Sequence, residues 1–213
     1  LLSDAITHIS GVGPKLATLL EKCNIRQIQD LLFHLPYRYQ DRTRITPLRD
    51  LRDRDWSVVE GVIIRQELPQ GKRRQLICHL QDHSHNMRLR FFHFYPELKK
   101  SLQEGNVIRA FGEVRWLRDH FEIVHPDLHV LHENHTPSME EYLTPIYSTT
   151  QGVSQAKLRQ LIEIAFANID EQNLELLPPQ LLQDLGLPSL KESLNFLHHP
   201  PPNGPLALIE ENN

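Results

Sequence analysis

Between Trp56 and Pro126 the chain passes through five β-forming stretches punctuated by turns, and this pattern limits its fold more than any other feature. The stretches are "WSVVEGVIIRQEL", "KRRQLICHLQD", "HNMRLRFFHFY", "NVIRAFGEVRWL" and "HFEIVHP", all rich in β-branched or aromatic residues. Turn-like segments bound them: "PQG" at 69–71, "DHSHN" at 82–86, "EGN" at 104–106 and "RDH" at 118–120. Between the third and fourth stretches, "PELKKSLQ" opens on a proline and sets Leu98 and Leu102 four residues apart, which predicts a short helix. Five strands with one helix after the third is the order of an OB-fold, a small Greek-key barrel whose strand 2–3 face often carries single-stranded nucleic acid.

The flanks are helical in pattern. Leu16, Leu19 and Leu20, then Ile28, Leu31, Leu32 and Leu35, recur at three and four, predicting two short helices that part near Asn24 and stop at Pro36. "YRYQDRTRITPLRDLRDRD" has little apolar content and reads as an extended, Arg-rich connector. After Val130 the chain turns polar. Val153 to Ile169 then sets Leu158, Leu161, Ile162, Ala165 and Phe166 on one helical face, and prolines break up the remainder. The expected fold is α+β: a five-stranded OB-fold barrel flanked by an N-terminal helical hairpin and C-terminal helices. The expected division is a helical region at 1–37, the connector at 38–55, the barrel at 56–135 and a helical linker at 136–213.

Composition excludes several classes. With 39% apolar and 23% charged residues, the 213-residue chain is of ordinary globular type. No window approaches the length of uncharged apolar sequence that a bilayer requires, and no secretory leader is recognisable, so no membrane association and a cytoplasmic location are expected. Cys23 and Cys78 stand far apart with no CxxC and read as core thiols. His125, His129, His132 and His135 have helical spacing, but Pro126 and Pro137 oppose a helix, so no metal site is assigned. There is no GxxxxGK[ST] phosphate loop, GxSxG elbow or HExxH, so the chain is expected to be a binding module without a cofactor of its own.

The charge is unevenly placed. Lys/Arg against Asp/Glu number three and three in residues 1–37, seventeen and ten in 38–118, and three and fourteen in 119–213. A basic middle between a neutral start and an acidic end fits a polyanion meeting the barrel.

Two stretches carry the candidate site. In "MRLRFFHFY", strict alternation sets Met87, Leu89 and Phe91 on one face and Arg88, Arg90, Phe92 and Phe94 on the other. Two arginines beside two rings do not all belong in a dry core. Arginine next to an open ring is the usual single-strand binding surface. The alternation assigns Phe91 to the core and Phe92 outward, although a β-bulge would reverse this. Tyr95 and the turn residues Lys72, Arg73 and Arg74 extend the surface. The second stretch, "SGVGPKLATLLEKCNI", puts Gly11 and Gly13 before a helix. Bare backbone and outward amides there suit a phosphate, as in a helix-hairpin-helix, with Lys15 adding a charge; the alternative is a plain helix–helix turn.

"SGVGPKLATLLEKCNIRQIQDLLFHLPYRYQDRT", "VEGVI", "MRLRFFHF", "LTPIYSTTQGVSQAKLRQLI" and "LHHPPP" together resemble the N-terminal wedge region of the RecG family of bacterial branched-DNA helicases, over nearly the whole chain. The resemblance implies an OB-fold wedge that splits strands at the branch point of stalled replication forks and Holliday junctions, with rings stacking on bases where the duplex ends. The matching positions are Phe91 and Phe92, with Phe94 and Tyr95 as neighbours. It implies branched DNA and the single strand at the branch as partners. It also implies that ATP and Mg²⁺ belong to helicase domains expected beyond the "HHPPP" region, so the chain reads as a fragment. Two rivals stand beside it: an OB-fold gripping an acidic partner, such as the tail of a single-strand binding protein, and an RNA-binding OB-fold.

Overall fold

A computed structural model describes residues 3–69, 74–131, 138–168 and 174–202. In chain order its helices are α1 (Pro14–Glu21), α2 (Ile28–Phe33), α3 (Pro96–Ser101), α4 (Gln155–Ala167), α5 (Pro179–Leu185) and α6 (Leu190–His198). Its strands are β1 (Arg38–Gln40), β2 (Trp56–Glu67), β3 (Leu76–Gln81), β4 (Asn86–Phe91), β5 (Val107–Leu117), β6 (His120–Val124), β7 (Asp127–Leu131) and β8 (Thr144–Ile146). The backbone separates into two compact units, Asp41–Glu141 and a second built from both ends of the chain, Leu1–Gln40 with Tyr142–Asn213.

In the first unit β2 closes the barrel. Its first half pairs antiparallel with β5, from Trp56 opposite Glu113 to Val62 opposite Val107, and its second half pairs with β3. β3 then pairs with β4, β4 runs parallel to β6, and β6 returns to β5, which completes a five-stranded Greek-key ring. Where β2 changes partner, a Cβ on Gly61 would fall on the Gln81 carbonyl oxygen, and one on Gly112 of β5 would fall on the Ile123 side chain. Glycine is what lets the strands approach this closely.

The strand expected at "HFEIVHP" ends at Val124 as β6, and a further strand follows it. His125 takes φ +49, Pro126 has no amide to donate, and the chain resumes as β7 along the outer edge of β5, with Asp127 opposite Phe111. β7 is thus a sixth strand that the sequence pattern does not announce. The Arg-rich segment is also more than a connector: Leu48 and Leu51 are buried in the barrel core with Leu76, Leu80, Met87, Leu89, Ile108 and Ile123. The Leu48 amide donates to Asp82 Oδ2 at 2.8 Å, which fixes the segment to the barrel. Cys78 lies in the same core, and burial pushes its thiol up to about 12.

The terminal unit explains the other motif residues. Leu20, Leu31 and Leu32 from the N-terminal helices share one core with Tyr147, Val153, Leu158, Leu161, Ile162 and Leu194. In "PIYSTTQGVSQ", the Gln155 side chain accepts from the Tyr147 amide at 2.9 Å and donates to the Tyr147 carbonyl at 2.7 Å. Ser154 caps α4 by accepting from the Lys157 amide. β1 pairs with β8, and the Tyr39 hydroxyl donates to the Leu197 carbonyl at 2.6 Å. His198 of "LHHPPP" is fully buried. Its Nε2 meets the Leu32 carbonyl at 2.9 Å, so Nδ1 accepts from the Tyr147 hydroxyl at 2.7 Å, and the ring is neutral with its proton on Nε2.

Burial holds the His198 pKa below its ordinary value of 6.5. The unfolded chain therefore binds a proton at this residue before the folded one does. Stability is full above about pH 6.5 and falls as the pH drops from there toward the folded pKa. Urea midpoints taken between pH 8 and pH 5 should show this slope in the wild type. His198→Gln should flatten it, and the difference between the two curves isolates His198 from its neighbours His34, His199 and Glu163.

Candidate nucleic-acid interface

The end of β4 divides two adjacent rings. Phe91 is 2% exposed and packs edge-on against His125 at 6.0 Å, whereas Phe92 is 41% exposed. The ladder stops between them: the Phe92 amide donates to His125 Nε2 at 3.2 Å instead of to a strand carbonyl. No bulge shifts the register of β4 against β3, so Phe91 follows Met87 and Leu89 inward. Phe91 is therefore withdrawn as a base-stacking residue, because a ring with no open face has nothing to offer a base. Phe94 is half-buried against the barrel core, and the Arg74 guanidinium lies 4.7 Å over its ring. Tyr95, at 77%, is the most exposed of the four rings and precedes Pro96 at the start of α3.

The arginines of β4 also differ. Arg90 grips the buried carboxylate of Glu122 through Nε at 2.8 Å and Nη2 at 2.7 Å, and its Nη1 donates to Gln75 Oε1 at 2.7 Å. Hydrogen bonding to Glu122 raises its pKa further. Every arm of this guanidinium is engaged, so Arg90 is withdrawn as a phosphate ligand. Removing it would strip the buried Glu122 of its hydrogen-bonded cation and leave His120 Nε2, at 3.9 Å, beside it. Among the described residues, the Arg88 side chain makes one hydrogen bond, between Nη1 and His120 Nε2 at 3.2 Å. Other cations of the basic region are paired within the barrel unit, among them Arg65 with Glu67, Arg109 with Glu60 and Arg115 with Glu113. Lys99 and Lys100, in the last turn of α3 four and five residues after Tyr95, are cations that the sequence reading passed over. Their signal was present in "YPELKK", where the proline opens a helix that carries both beside the rings. Lys72 and Arg73 lie outside the described residues; Arg74 is exposed.

Gly11 has φ +84, a conformation that favours glycine, while Gly13 is the N-cap of α1 with φ −87 and no steric need to be bare. Lys15 is exposed, and a Cβ on Gly11 would stand 3.3 Å from Lys157 Nζ. Val12, between the glycines, is buried in the terminal unit's core. The turn is thus a packed helix entry with two lysines beside it.

Comparison with known proteins places this arrangement. The family model of the RecG wedge domain matches residues 5–169. The chain belongs to the RecG wedge family. It is 44% identical over 97% of its length to the ATP-dependent DNA helicase RecG of Pasteurella multocida, and 40% identical over 98% to that of Escherichia coli K12. It spans 30% of the length of each of these curated relatives. Among solved structures, RecG bound to a three-way DNA junction superposes with a TM-score of 0.74 at 25% identity, over 94% of this chain and 28% of that one. The OB-fold barrel with flanking helices is thus a RecG wedge architecture.

The two rings of β4 should behave oppositely on truncation. Phe91→Ala should cost about 3–5 kcal/mol of stability, and Phe92→Ala less than about 1 kcal/mol. Denaturant unfolding of both variants checks this.

Proposed function

We propose that this chain is the DNA-branch recognition module of a RecG-type helicase, meeting stalled forks or Holliday junctions where their duplex arms part. Phe92 and Tyr95 offer open rings to bases that lose their neighbours at the branch. Lys99, Lys100, Arg74 and Arg88 hold phosphates around them. Stacking on an aromatic ring contributes about 1–3 kcal/mol per base, which offsets part of the cost of unpairing at the junction. The Gly11–Gly13 turn with Lys15 is a second, sequence-independent backbone contact.

The observation that carries this reading is the juxtaposition at the end of β4: an exposed Phe92 beside a buried Phe91, followed within eight residues by an exposed tyrosine and two lysines. The relatives' RecG name and the junction-bound RecG structure support it. Strand separation driven by ATP and Mg²⁺ belongs, on this reading, to the remaining length of the parent protein in the cytoplasm, and this chain alone is not an ATPase.

Titrating fork, duplex and single strand against the chain tests the proposal. A preference for the fork is expected, with affinity falling steeply with salt because phosphate contacts release counterions. Phe92→Ala should weaken fork binding about fivefold or more at unchanged stability. Absence of nucleic-acid binding at low salt, with capture of an acidic peptide instead, would overturn it in favour of a protein-interaction barrel.

A further inference from the structure

The turn from β6 into β7 carries a residue that its backbone resists. Among the described residues, Asn24, Arg54, Arg118 and His125 take positive φ without being glycine, and of these His125 is the one that precedes a proline. A residue before proline is pushed toward extended backbone, and a side chain at φ +49 is crowded by its own chain. Glycine would make this turn with less strain. What histidine adds is its ring, and strain kept in place this way calls for a functional reading.

The surroundings hold His125 from both sides. Its amide donates to the Arg90 carbonyl at 2.8 Å, at the end of the β4–β6 ladder. Pro126 is buried, and Asp127 is already in register opposite Phe111 of β5. With the backbone fixed, the imidazole meets the residues that leave β4. Its centroid lies 6.0 Å from that of Phe91, edge-on, 5.9 Å from that of Phe92 at 51°, and 6.2 Å from that of His93, stacked at 19°. Nε2 accepts from the Phe92 amide at 3.2 Å, so that nitrogen carries no proton and the neutral ring has its proton on Nδ1. One side chain thus engages both the main chain and the ring of Phe92, while Phe92 stays 41% exposed.

We propose that His125 is the positioning residue of the stacking site: its Nε2 holds the Phe92 amide and its imidazole backs the Phe92 ring, which fixes that ring before a base arrives. A ring already in place gives up little freedom on binding; without His125 that loss is added to the cost of the complex. The inference rests on the proposed stacking role of Phe92 and adds to it the group that aims the ring.

A double-mutant cycle with Phe92 tests it. Affinity for a synthetic fork with a labelled single-stranded arm is measured at low salt for the wild type, His125→Leu, Phe92→Ala and the two combined. His125→Leu removes the acceptor and keeps an apolar side chain; it should weaken fork binding about threefold in the wild type and no further in Phe92→Ala. His125→Gln, whose Oε1 stands as many bonds from Cβ as the histidine Nε2, should bind within about twofold of the wild type. Losses of equal size in both backgrounds, or a His125→Gln loss as large as that of His125→Leu, overturn the positioning role. So does an unchanged His125→Leu affinity where Phe92→Ala still weakens binding, and the stacking function then stands. If His125→Leu does not fold, NMR of the wild type decides. The Phe92 amide should shift as His125 titrates, because a protonated imidazole cannot accept, and this step should be missing in His125→Gln while that of the neighbouring His93 remains. A Phe92 amide indifferent to His125 overturns the proposal. No fork binding by the wild type at low salt overturns the proposed function and, with it, the role of His125.

Discussion

The parallel ladder between β4 and β6 is the pairing on which the rest of the barrel unit depends. It joins two strands distant in sequence, closes the ring that β2 opens, and is bridged by Arg90 gripping the buried Glu122. A buried pair of this kind is a costly thing to break, because either partner left alone keeps its charge in a poor solvent. It also fixes the register of β4. With that register set, Phe91 goes inward and Phe92 cannot follow it. The break at His125 and Pro126 then ends the ladder at the point where Phe92 emerges, and the His125 ring supplies the acceptor for its amide.

Electrostatics in this unit follow from the same geometry. The excess of seventeen basic over ten acidic residues in 38–118 suggests a broad positive field, yet much of it is neutralised by cross-strand and neighbour pairs on the barrel itself. Among the described residues, the cations left open include the lysines of α3, Arg52, Arg74 over Phe94, Arg88 on β4 and Arg118 at the hairpin turn. On the proposed function, phosphates would be held at such points and not anywhere on a basic surface.

Much of this was legible in the sequence, for physical reasons that differ by element. The period-2 pattern of Met87, Leu89 and Phe91 is strong because one face of β4 is dry, and it predicted which ring is buried. The barrel order followed from turns and one proline-started helix. β7 was missed because Asp127 to Leu131 has no second apolar face and depends on pairing with β5, a long-range contact that no local pattern encodes. Arg90 was misjudged for a similar reason: its partner Glu122 is thirty-two residues away and comes beside it only when the barrel closes. The terminal motifs "PIYSTTQGVSQ" and "LHHPPP" supported the family resemblance before their chemistry was visible. The structure shows them to be a hydrogen-bonded clasp through Gln155, Tyr147 and His198 that draws the two ends of the chain into one unit.

The central claim is that the end of the β4–β6 ladder presents Phe92 to a base at the branch. It is tested most directly by placing 2-aminopurine at the first unpaired position beside a fork junction and reading its fluorescence at protein saturation. Stacking on Phe92 predicts quenching by the wild type that is lost with Phe92→Leu while anisotropy still reports a bound fork. Equal fluorescence in the two saturated complexes would contradict the account.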